Sequence, residues 1–499
     1  MRSMGPPDNQ TGSSKPRPNS PRALLKGAAL LSAGQVAGYG LSFVRNLILA
    51  RLLTKADFGL VAALSMTMSL LELVSRMAFG KQIIQARDGD QPRFQAVSHA
   101  VQVAVGVISA LLVIAGAYPM ALTFAVPDLA WAFASLALVP LARGAMHLDL
   151  ARVQRRFVYS PGVLSEIVPQ GLATAVAWPL AVWLGDFRAV LWIMLGKELL
   201  TVAMSHLLAE RPYRWAMEQR HVKQMLTFGW PLLLNGFVLF ASQQGDQMVI
   251  GAIWSLADLG TYSIAFTLSS IPWFIFGQVG SSLMLPAMAR HQDDPAQFEH
   301  HYCRCLELSV VVALVVLGPL VVAGDDLVRL LYGPKYSEVG TLMIVFGAMM
   351  AFRFFRWASA VAAMSRADTM NQLIGNIARA VSLPLALLVL AMGARNMASV
   401  AACGLAGEVL AVLVSVLRLR TRQGIGLIAH ARPMLFLVGW IAVGAAAHQW
   451  VGSIWLGGAA VLVLWSVGAV ASLFLFPNLV PVYRQTLTEL SIPMLFPRR

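Results

Sequence analysis

The sequence predicts an all-α polytopic membrane protein of about fourteen transmembrane helices, built as two pseudo-symmetric six-helix lobes with two further helices at the C-terminal end. Three observations predict it. Of 499 residues, 58% are hydrophobic and 12% are charged, with a mean hydropathy of +0.67, a balance too apolar for water-soluble globular domains. Mostly apolar stretches of about 20 residues, the length at which a helix crosses the hydrocarbon core, recur along the whole chain. A segment near the middle also echoes one near the start. At an offset of 201 residues, Arg45-Asn46-Leu47-Ile48-Leu49-Ala50 lies over Asp246-Gln247-Met248-Val249-Ile250-Gly251, and Ala56-Asp57-Phe58-Gly59 lies over Ala257-Asp258-Leu259-Gly260.

In chain order, residues 1–23 are rich in Pro, Ser and Asn and form a disordered cytoplasmic tail. The apolar run from Leu24 is longer than the core of a signal peptide, so it is read as an uncleaved first span. Spans are expected at 24–52, 57–80, 94–117, 126–146, 159–184 and 187–208, which make up the N-lobe (24–208). An amphipathic cytoplasmic linker follows at 209–224, with Trp215 and Met217 among arginines. The C-lobe (225–416) holds spans at 225–252, 257–286, 302–324, 338–364, 369–392 and 396–416. Helices 13 and 14 occupy 432–476, and residues 477–499 form a second cytoplasmic tail.

Lysine and arginine orient the chain, because cytoplasmic loops carry them in excess. With a cytoplasmic N-terminus, the inner segments 1–26, 81–93, 143–156, 211–223, 290–304, 366, 418–432 and 484–499 hold 26 of the 38 basic residues, and the outer ones hold six. Both termini are therefore placed inside. The same bias accounts for most of the net charge of +14, and no basic run interleaved with surface aromatics points to nucleic acid. Three cysteines are too few for a disulfide framework.

Six spans separate the two copies of the echo, so both helices run from inside to outside, and the repeat is parallel about an axis along the membrane normal. Three identities in the sixteen positions 45–60 and 246–261 are few. Their placement carries the reading: each copy ends the first helix of a six-helix half and closes on an Ala-Asp-x-Gly turn. Helices 13 and 14 then lie outside the pseudo-symmetric pair.

Several segments resemble a known family: ARLLTKADFG from Ala50, FGKQIIQ from Phe79, ARVQRRFVY from Ala151, FGWPLLLNG from Phe228, LPAMARHQDDP from Leu285 and DDLVRLLYGPKYSEVG from Asp325. Together they are similar to the polysaccharide (O-antigen and exopolysaccharide, Wzx-type) flippases of the multidrug/oligosaccharidyl-lipid/polysaccharide exporter superfamily, over about residues 24–420. The resemblance implies two six-helix lobes around a central cavity. It also implies alternating-access translocation of polyprenyl-diphosphate-linked oligosaccharide repeat units, from the cytoplasmic to the periplasmic leaflet of the bacterial inner membrane. Implied partners are that lipid-linked substrate, membrane lipids and other polysaccharide assembly proteins. A cation-coupled multidrug-type exporter and a peptidoglycan-precursor flippase share the fold. A membrane-embedded polymerase or acyltransferase would want a large extramembrane loop with clustered His, Asp or Arg, and the longest outer loops here are about a dozen residues. No catalytic residues and no cofactor are expected.

Charged residues at bilayer depth cost roughly 2.5 to 3.5 kcal/mol on insertion scales and are the first candidates for function. Arg45 and Asp246 share a depth in the outer leaflet on pseudo-equivalent helices, so they are expected to form an interlobe ion pair that gates the outer side; the alternative is a partner for each within its own lobe. Arg353 and Arg356 share one face of helix 10, and Gln372, Asn376 and Arg379 share one face of helix 11. Together they would form a cationic, amide-lined wall for a diphosphate and sugar hydroxyls, unless Arg353 and Arg356 pair with a carboxylate such as Glu408. Glu72, Glu166 and Glu198 are coupling candidates, as is Glu307. Glu72 and Arg76 are spaced for a local salt bridge, while Lys197 and Glu198 are adjacent on a helix and expected to need separate partners. His301 and Cys305 share a helical face, but no second cluster adds ligands, so no metal is expected. Gly34 and Gly38 fit a close helix approach.

Overall fold

A computed structural model describes residues 21–75, 79–336, 339–394, 396–450 and 454–479, apart from some side chains within those helices. Every regular element in it is helical. The N-lobe contains α1 (Pro21–Leu52), α2 (Lys55–Ser75), α3 (Phe79–Gln85), α4 (Pro92–Thr123), α5 (Ala130–Ser135), α6 (Leu138–Gly144), α7 (Asp149–Arg155), α8 (Ser160–Ala175), α9 (Ala177–Leu184) and α10 (Arg188–Leu207). The C-lobe contains α11 (Gln219–Ile253), α12 (Leu256–Ala289), α13 (Pro295–Val322), α14 (Gly324–Tyr332), α15 (Gly340–Ser365), α16 (Met370–Ala380), α17 (Ser382–Ala391) and α18 (Met397–Gln423). Helices α19 (Ile428–Trp450) and α20 (Ile454–Leu475) pack on α13 at the edge of the C-lobe.

Eight of the described helical spans are long and apolar enough to cross a bilayer, and two bent pairs, 127–144 with α7 and α8 with α9, raise the number to ten. The expected fourteen would also need α1, α2, α11 and α20, which stand where spans 1, 2, 7 and 14 were expected. Proline explains three interruptions. Pro140, Pro179 and Pro384 each follow a break by a few residues: α5 ends before α6, α8 before α9 and α16 before α17. A proline lacks the N–H that would bond the carbonyl four residues back, and its ring clashes with that carbonyl. Spans 5 and 11, equivalent in the two halves, are both broken in this way.

The C-lobe core is centred on α15, 72% of whose apolar window is buried. Phe346, Phe354 and Phe355 are fully enclosed there, between α12, α13 and α18. By contrast, α4 turns Ile108, Leu111, Leu112 and Ile114 outward, an apolar face suited to lipid rather than water. On α1, a Cβ on Gly34 would sit 2.8 Å from Val163 of α8, so this glycine serves close helix approach, whereas one on Gly38 would meet Ile167 only at ordinary contact distance, 3.8 Å. The lobes meet through α1 and α2 against α12, and through α2 and α4 against α11.

The chain between the lobes is irregular from Ala209 to Glu218, and α11 begins at Gln219, six residues before the expected start of the C-lobe. The linker is fastened to the N-lobe. Asp149 Oδ2 accepts from the backbone N–H of Glu210 (2.8 Å) and Arg211 (3.2 Å), Ala216 N–H donates to the Ala96 carbonyl (3.2 Å), and Tyr213 stacks on His99 (4.2 Å). Trp215 and Met217 remain exposed.

Candidate functional site

The two halves touch most intimately where the repeat predicted equivalence, at the end of the bundle that the basic residues assign to the outside. Helix α2 starts on Thr54, whose hydroxyl accepts from Asp57 N–H (3.1 Å) while the Asp57 carboxylate accepts from Thr54 N–H (3.3 Å). Helix α12 starts on Ser255 with the same reciprocal arrangement to Asp258 (3.2 Å each way). Both are capping boxes, which satisfy the orphan donors of a helix start, and they sit 201 residues apart. One turn further, Gly59 and Gly260 pack against each other. A Cβ on Gly59 would overlap the Leu256 carbonyl, and one on Gly260 would overlap the Lys55 carbonyl. Lys55 and Leu256 are themselves equivalent under the offset. The glycines are there because each backbone lies against the other.

The expected Arg45–Asp246 ion pair is not formed in this structure. Arg45 on α1 donates to Ser42 Oγ (3.3 Å) and to the side-chain amide oxygen of Gln170 on α8, 3.3 Å away with that amide turned to suit its neighbours. Asp246 on α11 accepts from the Tyr262 hydroxyl on α12 (2.8 Å) and from the Gln247 N–H (2.9 Å). Equal depth on equivalent helices does not bring two side chains face to face; each turns toward a neighbouring helix of its own lobe. The tight outer contact between the lobes is backbone packing at the glycines instead.

In the C-lobe, α15, α16 and α18 bring three guanidinium groups to one carboxylate. Arg353 Nε lies 2.9 Å from Glu408 Oε2, Arg356 Nε 2.9 Å from Oε1, and Arg379 Nε 3.8 Å from Oε2. Arg379 also donates to the Ser242 carbonyl of α11 (3.2 Å). Glu408 is completely buried, and none of the three arginines is more than 9% exposed. Glycines make room: a Cβ on Gly375 would sit 3.3 Å from Arg356 Nη1, and one on Gly407 would sit 2.7 Å from the Arg379 carbonyl.

The pairing with Glu408, the alternative weighed from the sequence, is therefore what the structure contains. Arg379 joins Arg353 and Arg356, but Gln372 is exposed and Asn376 only half-buried. The row of α16 facing the packing is Asn371, Gly375 and Arg379, at i, i+4 and i+8, and Asn371 hydrogen-bonds Ser415 on α18 (2.6 Å). Gln372 and Asn376 lie one residue round the helix from that row. Asn371 was missed, though its spacing from Arg379 carried the signal.

The coupling candidates fall in different settings. Glu198 is buried against Arg143 (2.7 Å) and Lys197 (3.1 Å). Adjacent residues thus share a contact where separate partners were expected, because the long lysine stem curls back to its neighbour. Glu166 is exposed on α8. The side chains of Glu72 and Arg76 lie outside the described residues. Glu307 is buried and accepts from Asn478 Nδ2 (2.7 Å). His301 stacks on His291 (4.1 Å), and no group of three or more potential ligands for a metal occurs among the described residues. In the connection between α15 and α16, Arg418 binds Asp368 through two hydrogen bonds (2.9 and 3.1 Å) and holds its carboxyl below the usual range.

Comparison with known proteins adds a family to this geometry. The family profile described as "Polysaccharide biosynthesis protein" matches residues 48–341, more than half of the chain and a stretch containing both capped corners. The chain is 21% identical over 323 residues to the Escherichia coli K12 "Lipopolysaccharide biosynthesis protein WzxC", covering 63% of this chain and 64% of that protein. It is 23% identical over 319 residues to the Rhizobium meliloti "Succinoglycan biosynthesis transport protein ExoT", covering 63% and 60%. The matched stretch thus spans less than two thirds of either relative. In three dimensions the chain is similar to the lipid II flippase MurJ in its inward closed conformation, with a TM-score of 0.70 at 12% identity over 91% of this chain and 100% of the other, a likeness of fold. With the profile matched over more than half of its length, across both capped corners and the glycine seam, the chain belongs to the polysaccharide biosynthesis protein family.

Proposed function

We propose that the protein is a flippase that carries polyprenyl-diphosphate-linked oligosaccharide repeat units from the cytoplasmic to the periplasmic leaflet of a bacterial inner membrane, for surface polysaccharide assembly. The observation that carries this reading is the C-lobe cluster, in a chain of this family. Three buried guanidiniums against Glu408, with Asp246 on the adjoining α11, leave an excess of positive charge inside the membrane. Guanidinium matches phosphate geometry through paired donors and loses less on leaving water than an ammonium does. A cationic drug would want the opposite field. Arg45 adds a half-buried cation whose hydrogen bonds go to neutral groups of the N-lobe.

In this reading Arg353, Arg356 and Arg379, which are paired with Glu408 and buried in the form described, become a cationic wall only when a diphosphate competes with Glu408 for their donors. The glycine seam closes the outer end, and export in this reading requires the lobes to rock apart at that seam. Both termini are read as cytoplasmic, and the work as transport rather than bond chemistry.

The test is a reconstituted assay. Purified protein is placed in vesicles holding a polyprenyl-diphosphate oligosaccharide with a labelled sugar, and the fraction reached by a membrane-impermeant oxidant is followed. Protein-free vesicles should keep the inner-leaflet pool protected, and the protein should expose it. R379Q, at unchanged protein level, should slow exposure about tenfold, equivalent to about 1.4 kcal/mol of barrier. Protection equal to that of empty vesicles would remove the flippase reading, and full speed in R379Q would remove the arginine from the site.

A further inference from the structure

We propose that the outer segment Leu330–Tyr336, at the end of α14, is a latch that holds the two lobes together at the outer end, with Arg51 and Lys335 as its two bolts. The proposal rests on the transport reading only in naming what the latch restrains.

The last carbonyls of a helix have no partner within it and attract cations. Two such ends meet here from opposite lobes. Helix α1 of the N-lobe ends at Leu52 and α14 of the C-lobe ends at Tyr332. Arg51 reaches out of the last turn of α1 to the α14 end, where its Nε donates to the Leu331 carbonyl (2.7 Å) and its Nη2 to the Leu330 carbonyl. Lys335, just past α14, returns the contact: its ammonium donates to the Arg51 carbonyl (3.2 Å) and to the Leu53 carbonyl. Each lobe therefore caps a helix end of the other. Because every donor is cationic and every acceptor is a backbone carbonyl at or just past a helix end, the contact is directional and made only when the two ends are side by side.

The aromatic residue that follows seats the latch on the seam. Tyr336 is fully buried, packs edge-on against Phe58 of α2 (6.5 Å), and has the Lys335 ammonium 5.3 Å from its ring centre. Phe58 immediately precedes Gly59, so the latch bears directly on the glycine contact. The hydroxyls of Tyr332 and Tyr336 are buried without a hydrogen-bond partner among the described residues. The latch is also one-sided. Under the 201-residue offset Arg51 corresponds to Ala252, so the capped glycine corner is shared by both halves while the bolt from α1 is peculiar to the N-lobe.

The experiment reads the distance between lobes rather than transport. In protein with Cys303→Ser, Asp128→Cys on the N-lobe and Met392→Cys on the C-lobe, both exposed outer positions, carry spin labels, and their distance distribution is recorded in lipid vesicles. The parent should give one short-distance population. Arg51→Ala should add a second, longer population, and so should Lys335→Met, which keeps the stem over the Tyr336 ring and removes only the ammonium. Arg51→Lys, which retains one cationic donor, should fall between. A distribution unchanged from the parent in Lys335→Met overturns the latch, and that variant decides alone if Arg51→Ala does not yield folded protein. The outcome is independent of the substrate: a protein that moves no lipid-linked sugar but lengthens on Lys335→Met keeps the latch and loses the flippase reading, and the reverse result does the opposite.

Discussion

The outer corners of the two lobes and the membrane-embedded stretch leading up to them come from the same 201-residue repeat, yet they behave differently. At the corners, Thr54 and Asp57 are matched by Ser255 and Asp258 in the same capping box, and Gly59 meets Gly260 across the axis. Along the preceding helices, Arg45 and Asp246 occupy equivalent positions but bind Gln170 and Tyr262 in their own lobes. The difference lies in what each position touches. Residues on the axis are constrained by their own counterparts, so any added atom collides with the other half. Residues off the axis are constrained only by their lobe, and the two lobes are free to diverge there, even to opposite charge.

The comparison can be broken most decisively at the glycines. Gly59→Leu puts a side chain into the Leu256 carbonyl, where backbone rather than a flexible side chain must yield. The expected cost exceeds the roughly 1 to 3 kcal/mol of an overpacked core, and export of labelled repeat units in cells should be abolished, as should that of Gly260→Leu. Normal export in either variant would show that the seam tolerates separation. Next in size is the charge swap. Arg45→Asp and Asp246→Arg should each impair export, and the double variant should remain as impaired as the worse single. A thermal double-mutant cycle on detergent-purified protein should return a coupling within about 0.5 kcal/mol of zero, as for independent sites; rescue by the swap would mean that the two residues pair in another state of the cycle. The smallest expected effect sharpens the symmetry itself. Thr54→Ala and Ser255→Ala should each lower stability by about 1 kcal/mol, the usual worth of an N-cap, and by similar amounts. A clear inequality in their unfolding midpoints would show that the two corners are not energetically equivalent.

Much of this was legible in the residues alone. The apolar runs announced the all-α class, and the offset pointed to the corners that pack together, because a repeated Ala-Asp-x-Gly motif is a local signal, although it forms the first turn of α2 and α12 rather than the expected turn closing the helix before. Gly34 foretold a close helix approach on α1, though not that its partner is α8. Glu408 was named as the alternative partner for Arg353 and Arg356, and it is their partner. Less could be read where a decision depended on rotation about a helix axis. The face of α16 that packs is set by Asn371, Gly375 and Arg379, and Gln372 is left outside although it shares a helical spacing with Arg379. The Lys197–Glu198 contact depends on how a flexible stem folds back, which spacing does not encode.

By itself, then, the sequence determined the all-helical class and where the two halves repeat, since hydropathy and short motifs are properties of neighbouring residues. Only the tertiary structure decided which buried charges meet. Arg45 and Asp246 stay in their own lobes, three arginines gather on Glu408, and Arg51 and Lys335 cross between lobes to cap one another's helices. Those choices belong to the packing of helices distant in the chain, because a buried charge settles on the partner that the whole bundle brings within reach, and nothing local specifies which that will be.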